Sequence, residues 1–572
     1  MENDHNGNTR FNFDAKVSAY DLAATYMSPW EKAIKESNPL GIMCSYNMVN
    51  GKPTCGNPES YNILKEWGYE GYITSDTDSC ESIYDSKKGH GYVKTGEEAT
   101  ALCLQGSTDI DSGHGLLSTY NRYLESGVQN GVIDRELVDK ALYNSYKMRM
   151  RLGLFDGKKT KQNAYTRIST DVVQQESHVQ ASLNAARKTM TLLKNDKKIL
   201  PFTKGKVVAV IGESSNSGED ILGNYVGPIC PGPNRKKTFN CVATIFDMVK
   251  KLNEQGTVNS ISGQTLLVDN VNDVDQALDA ANQADYVVLT ISNAVREIGG
   301  GEAYDRMNLT VGNAQLNLIK KVLDVGKPTA IVMINGGVIS LDEGIIEHQN
   351  ANSILNAWMP GQHGALAVAE TLFGDNNPGG KMPVTMYKNS YIHEVDFLNI
   401  SMQAGPGRSY RYFTGEPIFP FGHGLSYTTF SMSIESTSSC VVNKPSDECK
   451  FRIKTTNTGH RLGDEVVMVF FKPTHVDGQQ QASLAGTPVL MKQLIDFKRI
   501  TLAPGSSRDL VFDVKGHQLG LIDEDGNRVL QKSAFDIIFS RGFYEEGLQI
   551  RVPIKVNTEK QHMLSPFNHK WW

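Results

Sequence analysis

At 572 residues, with 40% apolar and 21% charged side chains, the chain is too long for one hydrophobic core and calls for about two to four domains. A net charge of -5, from 58 basic and 63 acidic side chains, gives no basic excess of the kind nucleic acid requires. No run of about 18 apolar residues is present, so no membrane-spanning helix is expected.

The opening, Met1 to Gly7, is polar and lacks the basic and apolar regions of a signal peptide. Residues 39–152 then read as strand–helix repeats. Gly41–Asn47, Gly71–Asp76 and Ser107–Asp111 are short strands ending in polar residues. Helical stretches lie near Ser60–Trp67, Glu97–Leu104 and Arg135–Leu152. This alternation favours parallel βα units, with chemistry expected just beyond the strand ends. Three strands are too few to close an eight-stranded barrel. A small open sheet and the tail of a barrel both fit, over residues 1–157. Residues 158–179 are polar and lysine-rich, as in a linker.

A helix near His178–Arg187 opens a second α/β region, residues 180–388. Its apolar strands are Val207–Ile211, Thr265–Val268, Tyr286–Leu289, Ala330–Ile334 and Ser353–Leu355. Helices at Val274–Ala281, Gln315–Val325 and Ala365–Phe373 separate several of them. Continuous apolar strands between helices indicate a sheet covered on both faces. Residues 389–429 form a second linker. Beyond it, through 572, strands alternate with turns at Phe451–Thr455, Val466–Phe471, Phe497–Leu502, Leu510–Val514 and Phe535–Phe539. That pattern predicts a β-sandwich of the immunoglobulin or fibronectin type III sort, with a C-terminal tail.

Two carboxylates stand out. Asp76 ends the strand Gly71–Asp76, a position that suits a nucleophile or base and equally a cap on the next helix. Glu302 follows Gly299-Gly300-Gly301, whose glycines let a loop carry a carboxylate towards another domain. A solvated loop with an Asp305–Arg306 charge cluster is the alternative. The glycines lack GxGxxG spacing, so phosphate binding is disfavoured. The histidines are scattered without HExxH or a Cys/His cluster, and no metal site is expected. No GxSxG elbow supports Ser-His-Asp catalysis.

Eight cysteines include three local pairs: Cys44 with Cys55, Cys230 with Cys241, and Cys440 with Cys449. Disulfides and reduced thiols are both open readings on spacing. Sequons at Asn308-Leu309-Thr310 and Asn399-Ile400-Ser401 point towards secretion.

The motifs, taken in order, resemble glycoside hydrolase family 3, and within it the plant and fungal β-xylosidase/α-L-arabinofuranosidase branch. Its carriers are Met43–Asn47 with Val49–Cys55, Gly71–Asp76, Arg149–Phe155, Leu192–Asn195, Phe373–Gly380, Gly407–Tyr412 and Phe419–Tyr427. The resemblance implies the C-terminal part of a (β/α)8 barrel, an α/β sandwich and a fibronectin type III-like domain. It implies a retaining exo-glycosidase that releases xylose or arabinose from xylo-oligosaccharides or arabinoxylan fragments, secreted, without cofactor. It assigns Asp76 as nucleophile and Glu302 as acid/base, with Glu297 nearby, and implies substrate contacts from Tyr46 and Thr77. Where the xylosidase branch usually has Cys after the nucleophile and the family's β-glucosidases Trp, this chain has Thr77. The family's Lys-His pair from an earlier barrel strand has no counterpart before Asn8–Phe13. The resemblance therefore implies that Met1 falls after that pair, with about five barrel strands upstream. A β-glucosidase of the same family, and an inactive glycan-binding module, are the competing expectations.

Overall fold

The structure is a computed structural model. It describes the chain except for residues 1–3, 158–162, 224, 228, 232–236, 262–270, 294–304, 343, 438–439, 475–483, 485, 543–547, 566 and 568–572.

In the first region the strand Gly41–Cys44 pairs in parallel with Tyr72–Ser75. The third expected strand is reduced to a parallel bridge between Ile110 and Thr74. The helices Pro58–Glu66, Ser79–Tyr84, Gly96–Gln105, Thr119–Gln129 and Arg135–Arg151 accompany them. Gly96–Gln105 begins at a capping box in which the Thr95 side chain and Glu98 each bond the other's backbone N–H. Apolar side chains remain in solvent on Arg135–Arg151 and just past it, including Tyr143, Met150, Leu152 and Phe155.

The second region is built on a six-stranded sheet. Its order is Thr257–Ile261, Val207–Ile211, Tyr286–Ser292, Thr329–Ile334, Ser353–Asn356 and Thr191–Asn195. All neighbours are parallel except the last pair. Strand residues alternate between two cores. Val208, Val210, Val288, Ala330 and Val332 face one, and Ala209, Ile211, Leu289, Ile331 and Met333 face the other. Helices cover both faces, which is why these strands are continuously apolar. The edge strand Thr257–Ile261 was not expected, because its Asn259 and Ser260 break the apolar run. The expected strand Thr265–Val268 lies outside the described residues.

The last region is a sandwich. A three-stranded sheet, Phe430–Thr437, Glu448–Asn457 and Ser507–Lys515, faces a five-stranded one. The latter runs Val441–Val442, Gln549–Val556, Ser533–Ser540, Gly463–Thr474 and Gln493–Leu502. Buried and exposed residues alternate along Ser507–Lys515, the period-two signature of a half-buried strand. Phe451, Phe512, Phe535 and Phe539 fill the space between the sheets.

The three regions are joined by specific contacts. The hydroxyls of Tyr20 and Tyr412 bond at 3.0 Å. Arg411 Nη1 donates to Ala24 O and Thr25 Oγ1 at 2.8 and 3.0 Å. Gln403 donates to Asp21 at 3.1 Å. Phe567 packs into the core of the first region beside Leu22 and Ile63.

Candidate active site

Asp76 follows directly on the strand Tyr72–Ser75, and its N–H donates to Cys44 O at the end of the neighbouring strand. Its carboxylate is therefore carried at the C-terminal end of two parallel strands, half-buried. Oδ1 accepts the Thr77 N–H at 2.7 Å. The alternative role of helix cap is not what the structure shows. The cap position of Ser79–Tyr84 belongs to Asp78, which sits at φ +61° and makes no side-chain cap bond.

Tyr46 stands against Asp76. Burial pushes its phenol up to about 12, and the Asp76 carboxylate adds to this as a charge and as a hydrogen-bond acceptor. Arg10 opposes the shift; its guanidinium lies 5.4 Å from the Tyr46 ring centre and 5.1 Å from that of Phe11. The strand Asp14–Ala15 pairs in parallel with Met48–Val49, which holds the segment bearing Arg10 and Phe11 beside Tyr46. His90 Nε2 meets Tyr46 O at 2.7 Å, and burial pushes His90 below its ordinary value.

Two neighbouring carboxylates are otherwise engaged. Asp78 accepts from the His114 ring Nδ1 and backbone N–H. Asp111 accepts from Ser75 Oγ at 3.3 Å and Tyr120 N–H at 3.0 Å, and burial raises its pKa. Asp76, by contrast, faces Tyr46 and accepts from its own loop. Thr77 is exposed, and the contribution it visibly makes is its backbone N–H.

Glu302 and Glu297 lie outside the described residues, in the connection between Asn293 and Asp305. The connection leaves from the end of the strand Tyr286–Ser292 and returns at Asp305. Asp305 Oδ2 meets His5 Nε2 at 2.9 Å, with both side chains largely buried. Arg306 turns away and donates to Val338 O at 2.5 Å. Asp305 and Arg306 are thus separately bonded rather than a solvated charge cluster. The contacts run from Asp305 to His5, five residues along the chain to Arg10, then to Tyr46 and Asp76. Arg10, His5 and His114 carried no signal of their own in the sequence; pairing of distant segments brings them here.

Residues 7–144 match the glycosyl hydrolase family 3 N terminal domain, residues 190–427 its C-terminal domain, and residues 465–541 a fibronectin type III-like domain. This fold, in this order, is that of a multidomain glycoside hydrolase. The chain belongs to glycoside hydrolase family 3, in the branch of plant and fungal β-xylosidases and α-L-arabinofuranosidases. It is 33% identical to probable beta-D-xylosidase 7 of Arabidopsis thaliana over 561 residues, 92% of this chain and 69% of that protein. It is 31% identical to beta-xylosidase/alpha-L-arabinofuranosidase 1 of Medicago sativa subsp. varia, over 96% of this chain and 70% of that one. Among solved structures, a GH3 exo-beta-xylosidase (XlnD) bound to a xylobiose aziridine probe superposes with TM-score 0.86 at 26% identity. The match covers 98% of this chain and 71% of that one. A beta-glucosidase from Listeria innocua in complex with glucose shares the fold, with TM-score 0.78 at 21% identity, over 95% of this chain and 71% of that one.

Proposed function

We propose that the chain carries the catalytic pair of a retaining exo-β-xylosidase, acting on xylo-oligosaccharides or arabinoxylan fragments and releasing xylose or arabinose. The observation that supports this most is the setting of Asp76: a half-buried carboxylate at a strand tip, bonded to the Thr77 N–H and faced by Tyr46, over whose ring Arg10 lies.

In this reading Asp76 attacks the anomeric carbon and forms a glycosyl–enzyme bond while Glu302 protonates the leaving oxygen. Glu302 then removes a proton from water, which releases the sugar with its configuration retained. Such chemistry requires the two carboxyl groups to stand about 5–5.5 Å apart. Tyr46 orients the nucleophile and borders the sugar site, with Thr77 beside it. A small residue at position 77 agrees with the xylosidase branch rather than with the family's β-glucosidases, which usually carry Trp there. Secretion fits the four disulfides, which take up all eight cysteines. It also fits the exposed sequon residues Asn308 and Asn399.

The test is hydrolysis of an aryl β-xyloside. Asp76→Ala should abolish turnover. Glu302→Ala should lose about 10²–10⁴-fold, with azide restoring rate as a glycosyl azide. Proton NMR should show the β-anomer of xylose first. Undiminished turnover by Asp76→Ala, or first release of the α-anomer, overturns the assignment; faster turnover of the aryl glucoside overturns the sugar.

A further inference from the structure

A cavity of about 370 Å³ lies between the segment Tyr20–Lys32 and the β-sandwich, away from Asp76 in the chain and lined by none of its neighbours described above. Its volume is that of a small-molecule site. Arg411, Arg528 and Lys32 line it, and among the described lining residues there is no Asp or Glu. Leu490, Leu521 and Ile522 supply apolar wall.

The two arginines are incompletely satisfied. Arg411 uses Nη1 on Ala24 O and Thr25 Oγ1, while its buried Nε has no partner. Arg528 is half-buried, and its side chain forms no hydrogen bond or ion pair with any described residue. Burial pushes Arg528 below its ordinary value; Glu31 opposes this, and the Arg411 charge reinforces it. Glu31 lines a smaller hollow alongside and is bonded to Lys35 at 2.5 Å. Gln518 Oε1 accepts the Lys515 N–H at 2.8 Å, which leaves its amide N–H₂ as a further donor. Converging cationic forks in a low-dielectric hollow are costly alone and strong when an oxyanion meets them.

We infer that this cavity is a binding site for a small anionic ligand, a carboxylate- or phosphate-bearing molecule about the size of a monosaccharide. Arg528, with Arg411, takes the oxyanion, and Lys32 supplies charge at the exposed side. The leucine and isoleucine wall takes the C–H face of the rest.

The experiment is calorimetric titration and thermal melting of the 572-residue protein with sodium glucuronate, inorganic phosphate and neutral xylose, at matched ionic strength. At least one anion should bind saturably and raise Tm by a few degrees once well above its Kd. The stronger of the two identifies the oxyanion. Xylose should leave this signal unchanged. Arg528→Met should weaken anion binding about tenfold or more, and the exposed-site variant Lys32→Ala less so. Should Arg528→Met fail to fold, Arg528→Lys takes its place with the same expectation of weakened binding. Absence of saturation by both anions up to about 20 mM overturns the inference. Unchanged anion affinity in the Arg528 and Lys32 variants overturns it equally.

Discussion

At Asp109 a single carboxyl links a strand end to a pH dependence. It immediately precedes Ile110, whose bridge to Thr74 brings the third expected strand against the second. Its Oδ2 accepts the Ile73 N–H at 2.9 Å and its Oδ1 the Asn144 amide at 2.9 Å. Burial nevertheless dominates and raises its pKa from 3.8 to about 6, against those two bonds and the Lys140 charge. Between these values the folded chain holds a proton that the unfolded chain has lost. Stability from this group is therefore present below about pH 4 and lost as pH rises through about 6. The full difference is about 3 kcal/mol. Asp109→Asn keeps an acceptor for Ile73 and removes the charge. It should stabilise the protein by about 1–3 kcal/mol at pH 7.5 and by close to nothing at pH 4, measured by urea unfolding. Equal effects at both values would show that burial does not govern this group. At the same scale, the sequence singled out Asp76 because its block sits at a strand end, and the structure brings Tyr46 against it. Arg10 and His114 were not singled out. A cation that reaches a site by strand pairing across 30 or more residues leaves no periodic trace, as Asp14–Ala15 on Met48–Val49 shows.

The elements themselves were legible in proportion to their burial. Val207–Ile211 and Thr329–Ile334 are covered on both faces, so their apolar runs announced them. Thr257–Ile261 and Thr191–Asn195 lie at the two edges of the same sheet. There no further strand of the sheet lies on the outer side, where Thr191–Asn195 meets only a single bridge from Leu192 to Leu425, and polar residues such as Asn259 and Lys194 are tolerated. Tight packing inside the sheet also explains Gly212, which follows Val207–Ile211 at φ +117°. A Cβ there would meet Thr290 O at 2.2 Å. Gly205 also has positive φ, +81°, but the nearest atom to its added Cβ is Glu254 O at 4.0 Å. Gly205→Ala should cost about 1 kcal/mol, from backbone conformation alone. Gly212→Ala should cost about 3 kcal/mol or more, because strand spacing must also give. Denaturant unfolding of the pair separates the two causes; equal losses would mean that the sheet yields freely around Gly212.

Across the whole molecule, covalent and non-covalent links divide the work. The four disulfides join residues only 9 to 23 apart in sequence. Each staples its own region, and none ties one region to another. Cohesion between regions must come from contacts such as Tyr20 with Tyr412 and Arg411 with Ala24. Tyr20 and Tyr412 are 8% and 4% exposed, so each hydroxyl depends on the other. Removing one orphans its partner, whereas removing both leaves two apolar rings in contact. Tyr20→Phe and Tyr412→Phe should therefore each cost about 1–2 kcal/mol. The double variant should be no worse than either single one, a coupling of about 1 kcal/mol or more. A calorimetric scan reads this directly, because weakening a link between regions also broadens or splits the melting transition. If the two losses simply add, the hydroxyls do not speak to each other across the junction. The first region would then be held to the rest mainly by the Arg411 fork and the packing of Phe567.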